Sequence, residues 1–202
     1  APNPELIDYI SAENQFANLT LDSTKHLQRE LADEILADSA DEGTSAPVTF
    51  GQYQYSSRQE QGLRHPIIYR QKGSESAKEL VFDPNIVLQR YPQASIGSLR
   101  FGPLHTKVAF SVDLEHSGTN ALFIWDIVQQ RISEVSQGDI QDIEWGADDC
   151  SIFYTTRENG RPNILRRWDC KRPSTQTNLF NEARELFTLS LRRAKAGNEI
   201  IL

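Results

Sequence analysis

Few side chains in this sequence could do chemistry, and their spacing argues against most of the reactions they suggest. A serine nucleophile on a strand-to-helix turn needs small neighbours, Gly-x-Ser-x-Gly, so that the backbone turns sharply and exposes the hydroxyl. The nearest approach is Gly43-Thr44-Ser45-Ala46-Pro47, which ends in proline and lies in an acidic linker. His26, His65, His105 and His116 fall in a predicted helix or in turns between predicted strands, not in a recognisable nucleophile-and-base arrangement. Asp148-Asp149 suggests a metal carboxylate pair, but the matching place one repeat earlier is the turn Pro103-Leu104-His105, so a solvated turn is expected. Cys150 and Cys170 have neither the spacing nor the companions of a zinc site and are expected as two reduced thiols. Arg192-Arg193 with Lys195 suggests an anion site, but a charged turn between two strands is the expected reading. Asn18-Leu19-Thr20 spells a glycosylation acceptor, expected to be unused in a chain without a secretion signal. No residue is assigned as catalytic, cofactor-binding or metal-binding, and no cofactor is expected.

The elements that would have to position such residues belong to a chain of 202 residues, enough for one domain plus an extension. At 38% hydrophobic and 24% charged it has the composition of a soluble globular protein, and no apolar run approaches membrane-spanning length. A formal charge of -7 disfavours nucleic acid, whose affinity is built from clustered Lys and Arg, and favours a basic ligand. The first ten residues mix Pro, Glu and Asp with apolar side chains and do not read as a signal peptide, so a cytoplasmic location is expected. The sequence holds no Met: either an initiator was removed or the numbering begins inside a longer product.

Residues 4 to 19 read as an amphipathic helix with Leu6, Tyr9, Ile10, Phe16 and Ala17 on one stripe. Thr20 to Ser23 is expected to interrupt it. Asp22 or Ser23 can cap a second helix carrying Leu27, Leu31 and Ile35, which the acidic stretch Asp38 to Glu42 with Gly43 should end. Helices this short need their stripes covered, so they must dock on something larger.

From Pro47 the texture changes to short apolar or aromatic runs between turn residues. The runs are Tyr53 with Tyr55, Arg58 to Gly62, Ile67 to Tyr69, Leu80 to Phe82, Leu99 to Phe101, Val108 to Val112, Leu122 to Trp125, Ile143 to Trp145, Ile152 to Tyr154 and Ile164 to Trp168, with no helical pattern between them. Ser98-Leu99-Arg100-Phe101-Gly102, a turn and Val108-Ala109-Phe110-Ser111 are echoed 44 residues later by Asp142-Ile143-Glu144-Trp145-Gly146, a turn and Ile152-Phe153-Tyr154-Thr155. A third copy is expected at Thr188 to Leu191 and Glu199 to Leu202. A period of about 40 to 50 residues with about four strands each is the signature of propeller blades. The fold expected is mainly β with a small helical amino-terminal extension: an extension over residues 1–46, then an incomplete β-propeller over 47–202. It has blades near 48–82, 96–134 and 142–180 and the start of another.

Several stretches together resemble the amino-terminal region of the prolyl oligopeptidase family, most closely its oligopeptidase B branch. They are Leu6-Ile7-Asp8-Tyr9-Ile10-Ser11-Ala12-Glu13-Asn14, Tyr53-Gln54-Tyr55-Ser56-Ser57-Arg58 with Pro66-Ile67-Ile68-Tyr69-Arg70, and Val108-Ala109-Phe110-Ser111-Val112-Asp113. Further on come Ile152-Phe153-Tyr154-Thr155, Arg161-Pro162, and Leu179-Phe180-Asn181-Glu182 followed by Phe187-Thr188-Leu189-Ser190. None is specific alone; their order and spacing are. The resemblance implies a seven-bladed propeller joined to an α/β-hydrolase catalytic domain, beside which the helices belong. It implies a propeller that admits peptides and excludes folded proteins, and substrates that are short peptides with Arg or Lys before the cleaved bond. The family is a serine-type peptidase, whereas these residues lack its nucleophile elbow, so this chain is expected to be the non-catalytic, gating segment. The competing reading is a stand-alone interaction module, and in either case exposed blade edges and uncovered apolar faces invite self-association.

The turn Glu158-Asn159-Gly160-Arg161-Pro162 centres a hairpin. A register symmetric about Gly160 would set Tyr154 against Arg166, Ile152 against Trp168 and Cys150 against Cys170; a bulge near Pro162 would shift it.

Overall fold

The structure, a computed structural model, describes residues 3–39, 43–73, 76–194 and 199–202. They fall into two compact units, Ala1–Gly43 and Thr44–Leu202.

In the first unit α1 (Pro4–Leu21) opens with proline just after Asn3, whose side chain accepts from the Glu5 N–H at 3.1 Å. The expected interruption is milder than a break: a 3₁₀ turn, Asp22–Thr24, leads directly into α2 (Lys25–Ser39). Asp22 stays helical (φ -56°, ψ -40°) and pairs with Lys25 at 2.6 Å instead of capping a new helix. The physical reason is local: Thr20 to Ser23 contains no Gly or Pro, and the Thr20 and Thr24 hydroxyls donate back to the carbonyls of Phe16 (2.9 Å) and Leu21 (2.7 Å). The expected end of α2 falls largely outside the described residues. Leu6, Tyr9, Ile10, Phe16, Leu27 and Leu31 are exposed.

In the second unit the described residues form three four-stranded antiparallel sheets and one two-stranded sheet, each in sequence order. The first sheet holds β1 (Val48–Phe50), β2 (Tyr53–Arg58), β3 (Ile67–Gln71) and β4 (Glu79–Phe82). The second holds β5 (Ser95–Phe101), β6 (Lys107–Asp113), β7 (Asn120–Asp126) and β8 (Arg131–Ser136). The third holds β9 (Ile140–Trp145), β10 (Ser151–Glu158), β11 (Arg161–Asp169) and β12 (Gln176–Asn181). Then β13 (Arg192–Arg193) pairs with β14 (Ile200–Ile201), the opening of a fourth meander. This is the partial propeller that the repeat predicts.

Three local expectations change. Arg58 to Gly62 is not a strand of its own: β2 ends at Arg58, and the Gln59 amide turns the chain by donating to the Leu63 carbonyl at 2.7 Å. A short helix, α3 (Asn85–Arg90), separates the first two blades, started by Asp83, whose carboxylate accepts from the Asn85 N–H at 2.9 Å. Six residues are too few to show a helical period. Arg192-Arg193 is a strand and not a turn, so the first strand of the fourth meander lies there and not at the expected Thr188 to Leu191, and Lys195 lies outside the described residues.

The repeat also holds in its hydrogen bonds. In the second blade the Ser98 N–H donates to Ser111 Oγ (2.9 Å), where the β5–β6 register shifts; 44 residues on, the Asp142 N–H donates to Thr155 Oγ1 (3.1 Å) at the corresponding shift between β9 and β10. A hydroxyl in the neighbouring strand thus satisfies the amide that the bulge unpairs.

One apolar cluster gathers Phe82, Phe110, Phe123 and Trp125, and a second gathers Ile143, Trp145, Ile152, Tyr154 and Trp168. Two indoles reach the preceding blade: Trp125 Nε1 donates to the Val81 carbonyl (2.7 Å) and Trp145 Nε1 to the Arg100 carbonyl (2.8 Å). Trp145→Ala is therefore expected to cost about 3 to 5 kcal/mol in a urea titration, while Val128→Ala, at an exposed site, stays within about 0.5 kcal/mol of the parent.

Candidate functional site

Several buried polar side chains, among them Arg70, His105, Glu144 and Asp149, lie where one blade meets the next. Asp149 belongs to the β9–β10 turn of the third blade, and its carboxylate enters the β5–β6 turn of the second. It accepts from the Leu104 N–H (2.8 Å), the Thr106 N–H (2.8 Å) and the Thr106 hydroxyl. A Cβ at Gly102 would fall on this carboxylate, so glycine there makes the approach possible. Lys107 Nζ donates to the Asp149 carbonyl at 3.1 Å. Asp149 is 5% exposed, so the expected solvated turn is half right: Asp148 keeps to its own turn, accepting from Ser151 N–H (2.8 Å) and Cys150 N–H (3.2 Å), while Asp149 is an inter-blade latch. Neighbouring backbone N–H groups satisfy the buried carboxylate. The sequence signal was the glycine in the turn 47 residues earlier, which gains meaning only when the two turns are known to face each other.

The same turn carries His105 towards the first blade. With φ at 61°, His105 packs edge-on against Phe50 and Tyr53 (ring centroids 4.8 and 5.0 Å), and its Nδ1 hydrogen-bonds the Tyr55 hydroxyl at 2.9 Å. Its carbonyl accepts from Arg70 Nη1. Arg70 also holds Glu79 through two hydrogen bonds, of 2.8 and 2.9 Å, and lies 4.5 Å over the Tyr53 ring. Burial and then the positive charge of Arg70 push the imidazole below its ordinary 6.5, and burial pushes the Tyr55 phenol up. A neutral imidazole bonded to a phenol and packed among aromatic rings holds structure and does not activate a nucleophile.

Arg100, Glu144 and Arg193 link β5, β9 and β13, the first strands of three successive sheets. Arg100 Nε lies 3.4 Å from Glu144 Oε1, and Arg193 Nε lies 3.5 Å from Glu144 Oε2, with Arg193 also donating to the Trp145 carbonyl. Arg161, in β11, ties down the path to the fourth meander by donating to the carbonyls of Glu182 (3.1 Å), Arg184 (2.9 Å) and Phe187. There the Glu182 carboxylate accepts two bonds of 2.8 Å from the Arg184 guanidinium and one of 2.9 Å from its N–H. Those bonds hold its carboxyl down to about 2.

The hairpin register is the expected one with a bulge. Asn159 and Gly160 both have positive φ (52° and 77°), giving a two-residue turn with Glu158 opposite Arg161. The register shifts between Thr156 and Arg157, after which Tyr154 faces Arg166 and Ile152 faces Trp168. Cys150 and Cys170 then meet at a Cα separation of 4.9 Å and are joined as a disulfide, which corrects the expectation of two reduced thiols. Asp169 lies beside them, its Oδ1 3.7 Å from Cys150 Sγ, but the bonded sulfurs are not thiolate ligands.

The other candidates do not converge. Ser45 is taken up by backbone: its hydroxyl accepts from the Ser57 N–H (3.0 Å) and donates to the Ala46 carbonyl (3.2 Å). His26 pairs with Glu30 on exposed α2 at 3.4 Å. The His65 main chain is bracketed by the Asn85 amide, and His116 sits in the β6–β7 turn with φ at 54°. Asn18-Leu19-Thr20 lies within α1.

Repeated four-stranded sheets, locked by buried polar contacts that bring no nucleophile to a base among the described residues, define a set of propeller blades built to hold a shape. The sequence model described as "Prolyl oligopeptidase, N-terminal beta-propeller domain" matches residues 1–202, and the chain belongs to that family. It is 28% identical over 202 residues to uncharacterized peptidase y4qF of Sinorhizobium fredii (strain NBRC 101917 / NGR234), covering 99% of this chain and 27% of that protein. The y4sO peptidase of the same organism is 26% identical over 197 residues, covering 96% of this chain and 28% of that one. Among solved structures, oligopeptidase B from Leishmania major is similar with a TM-score of 0.78 at 25% identity, over 98% of this chain and 29% of that one. Prolyl oligopeptidase B from Galerina marginata shares the fold with a TM-score of 0.69 at 16% identity, over 91% and 29%. The chain thus spans little more than a quarter of the curated relatives it matches.

Because His105 titrates lower in the folded chain than its ordinary 6.5, the unfolded chain binds the proton first; its contribution to stability is present above pH 6.5 and is lost as the pH falls through the lowered folded value. In an NMR titration His105 should titrate below 6.5, and Arg70→Gln should raise its midpoint. Glu182 should titrate near 2 and return towards 4.5 in Arg184→Gln; an unchanged midpoint in either variant would contradict the assigned cause.

Proposed function

We propose that residues 1–202 are the gating and scaffolding portion of a prolyl oligopeptidase-family serine peptidase of the oligopeptidase B kind. Cleavage belongs to an α/β-hydrolase domain outside these residues, and the propeller limits access to short peptides, with Arg or Lys before the cleaved bond as the preferred class. The observation that carries this reading is the family match over residues 1–202, together with blades tied to one another and no nucleophile brought to a base among the described residues. A net charge of -7 favours basic peptides by long-range attraction. The proposed division is a helical extension over 1–46 and the propeller from 47 onward. In the extension the exposed Leu6, Ile10, Leu27 and Leu31 offer the hydrolase domain an apolar face.

A specific observation supports the competing interaction-module reading: every residue of β12 is exposed, including Leu179 and Phe180, so its outer edge is open to another strand. One experiment separates the two readings. The purified 202-residue chain should not turn over a short arginyl peptide amide, and the whole peptidase carrying it should, with intact folded proteins spared. Turnover by the 202-residue chain alone, abolished by a serine-directed inhibitor, would overturn the proposal. Cleavage of folded proteins by the whole peptidase as fast as of short peptides would remove the gating role.

A further inference from the structure

The disulfide lies at the root of the turn that carries the Asp149 latch, and nothing in the proposed gating role requires it. The β10–β11 ladder ends at the pair Ser151 and Asp169; just beyond it the Cys170 N–H donates to the Cys150 carbonyl at 2.8 Å, and the sulfurs close the end. Asp149 is the next residue. The turn is also held by the Gly146 N–H on the Ser151 carbonyl (2.8 Å), by the Asp148 carboxylate on its own backbone and by Lys107 Nζ on the Asp149 carbonyl (3.1 Å). Both cysteines are half-buried, and a cavity of about 350 Å³ between the second and third blades reaches Cys170, lined by Lys107, Ile124 and Asp126 on one side and Trp168 and Pro173 on the other.

We propose that the Cys150–Cys170 disulfide is a redox-sensitive clasp on the junction between the second and third blades. Oxidised, it holds the β9–β10 turn so that Asp149 stays in the β5–β6 turn; reduced, it frees that turn and loosens the latch. The reductant is a dithiol. Its thiolate enters by the cavity and bonds to Cys170 Sγ as the Cys150–Cys170 bond breaks, and Cys150 leaves with the electron pair and takes up a proton, since Asp169 beside it disfavours an anion. The second thiol of the reductant then displaces Cys170, leaving two cysteine thiols and the oxidised, cyclic reductant.

Amide hydrogen exchange of the whole chain, with and without dithiothreitol, tests this. The oxidised protein should take up no alkylating agent at cysteine, and the reduced protein two equivalents. Reduction should speed exchange at Leu104 and Thr106, whose amides donate to Asp149, by about tenfold or more, while amides of the β2–β3 ladder keep their protection. Cys150→Ser should exchange rapidly at both amides whether or not reductant is present. Free thiols in the oxidised protein would overturn the proposal. So would unchanged protection at Leu104 and Thr106, equal acceleration across the chain, or slow exchange at both amides in Cys150→Ser.

Discussion

A four-stranded sheet with apolar side chains on both faces cannot stand alone in water, and every other feature of the Thr44–Leu202 unit follows from how the sheets cover one another. Burying one aromatic side chain removes roughly 150 to 250 Å² from water, worth on the order of 4 to 6 kcal/mol before conformational entropy is subtracted. Phe82, Phe110, Trp145 and Tyr154 each lie almost wholly inside. This drive is strong but non-directional: it brings blades together without fixing how they are turned against each other. The direction comes from polar groups. Each contributes little net free energy when paired, and each costs more when left buried without a partner. The Trp145 indole on the Arg100 carbonyl and the Asp149 carboxylate on the 104–106 backbone are satisfied only in one relative placement of the two blades, so they select it.

Much of this was legible in the sequence because it is local or repeated. The 44-residue echo located the blades, since alternating apolar runs and turn residues are read within a few positions. Asn159-Gly160 revealed a hairpin whose register brings Cys150 to Cys170, because only residues tolerant of positive φ fit that turn. What escaped was non-local, or chemically undetermined by spacing. Asp149 looked like a solvated turn residue until the turn it enters was known to lie opposite. Arg193 looked like part of a charged turn, although its guanidinium is used by Glu144 and the Trp145 carbonyl, 48 residues away. The proximity of the cysteines could be derived from register, but their bonding could not. In α1 and α2 the expected cap failed for the opposite reason: Thr and Ser disfavour a helix only on average, and here two threonine hydroxyls bond back into it.

The β5–β6 turn ties these observations together. Gly102, Leu104, His105 and Thr106 are consecutive or nearly so, yet they face two different blades: His105 turns to Tyr55 and Arg70, while the amides of Leu104 and Thr106 turn to Asp149. Splaying the second blade from the third therefore strains the turn that also seats the first. At the other side Arg161 collects three carbonyls of the chain leading to the fourth meander, so that path too is attached to the blade before it. An assembly held in this way resists the opening of any single junction. On the proposed role that resistance matters, because a filter that excludes folded proteins must not yield to them. Any passage for peptides must then lie where such ties are few, or wait on a junction whose ties can be switched.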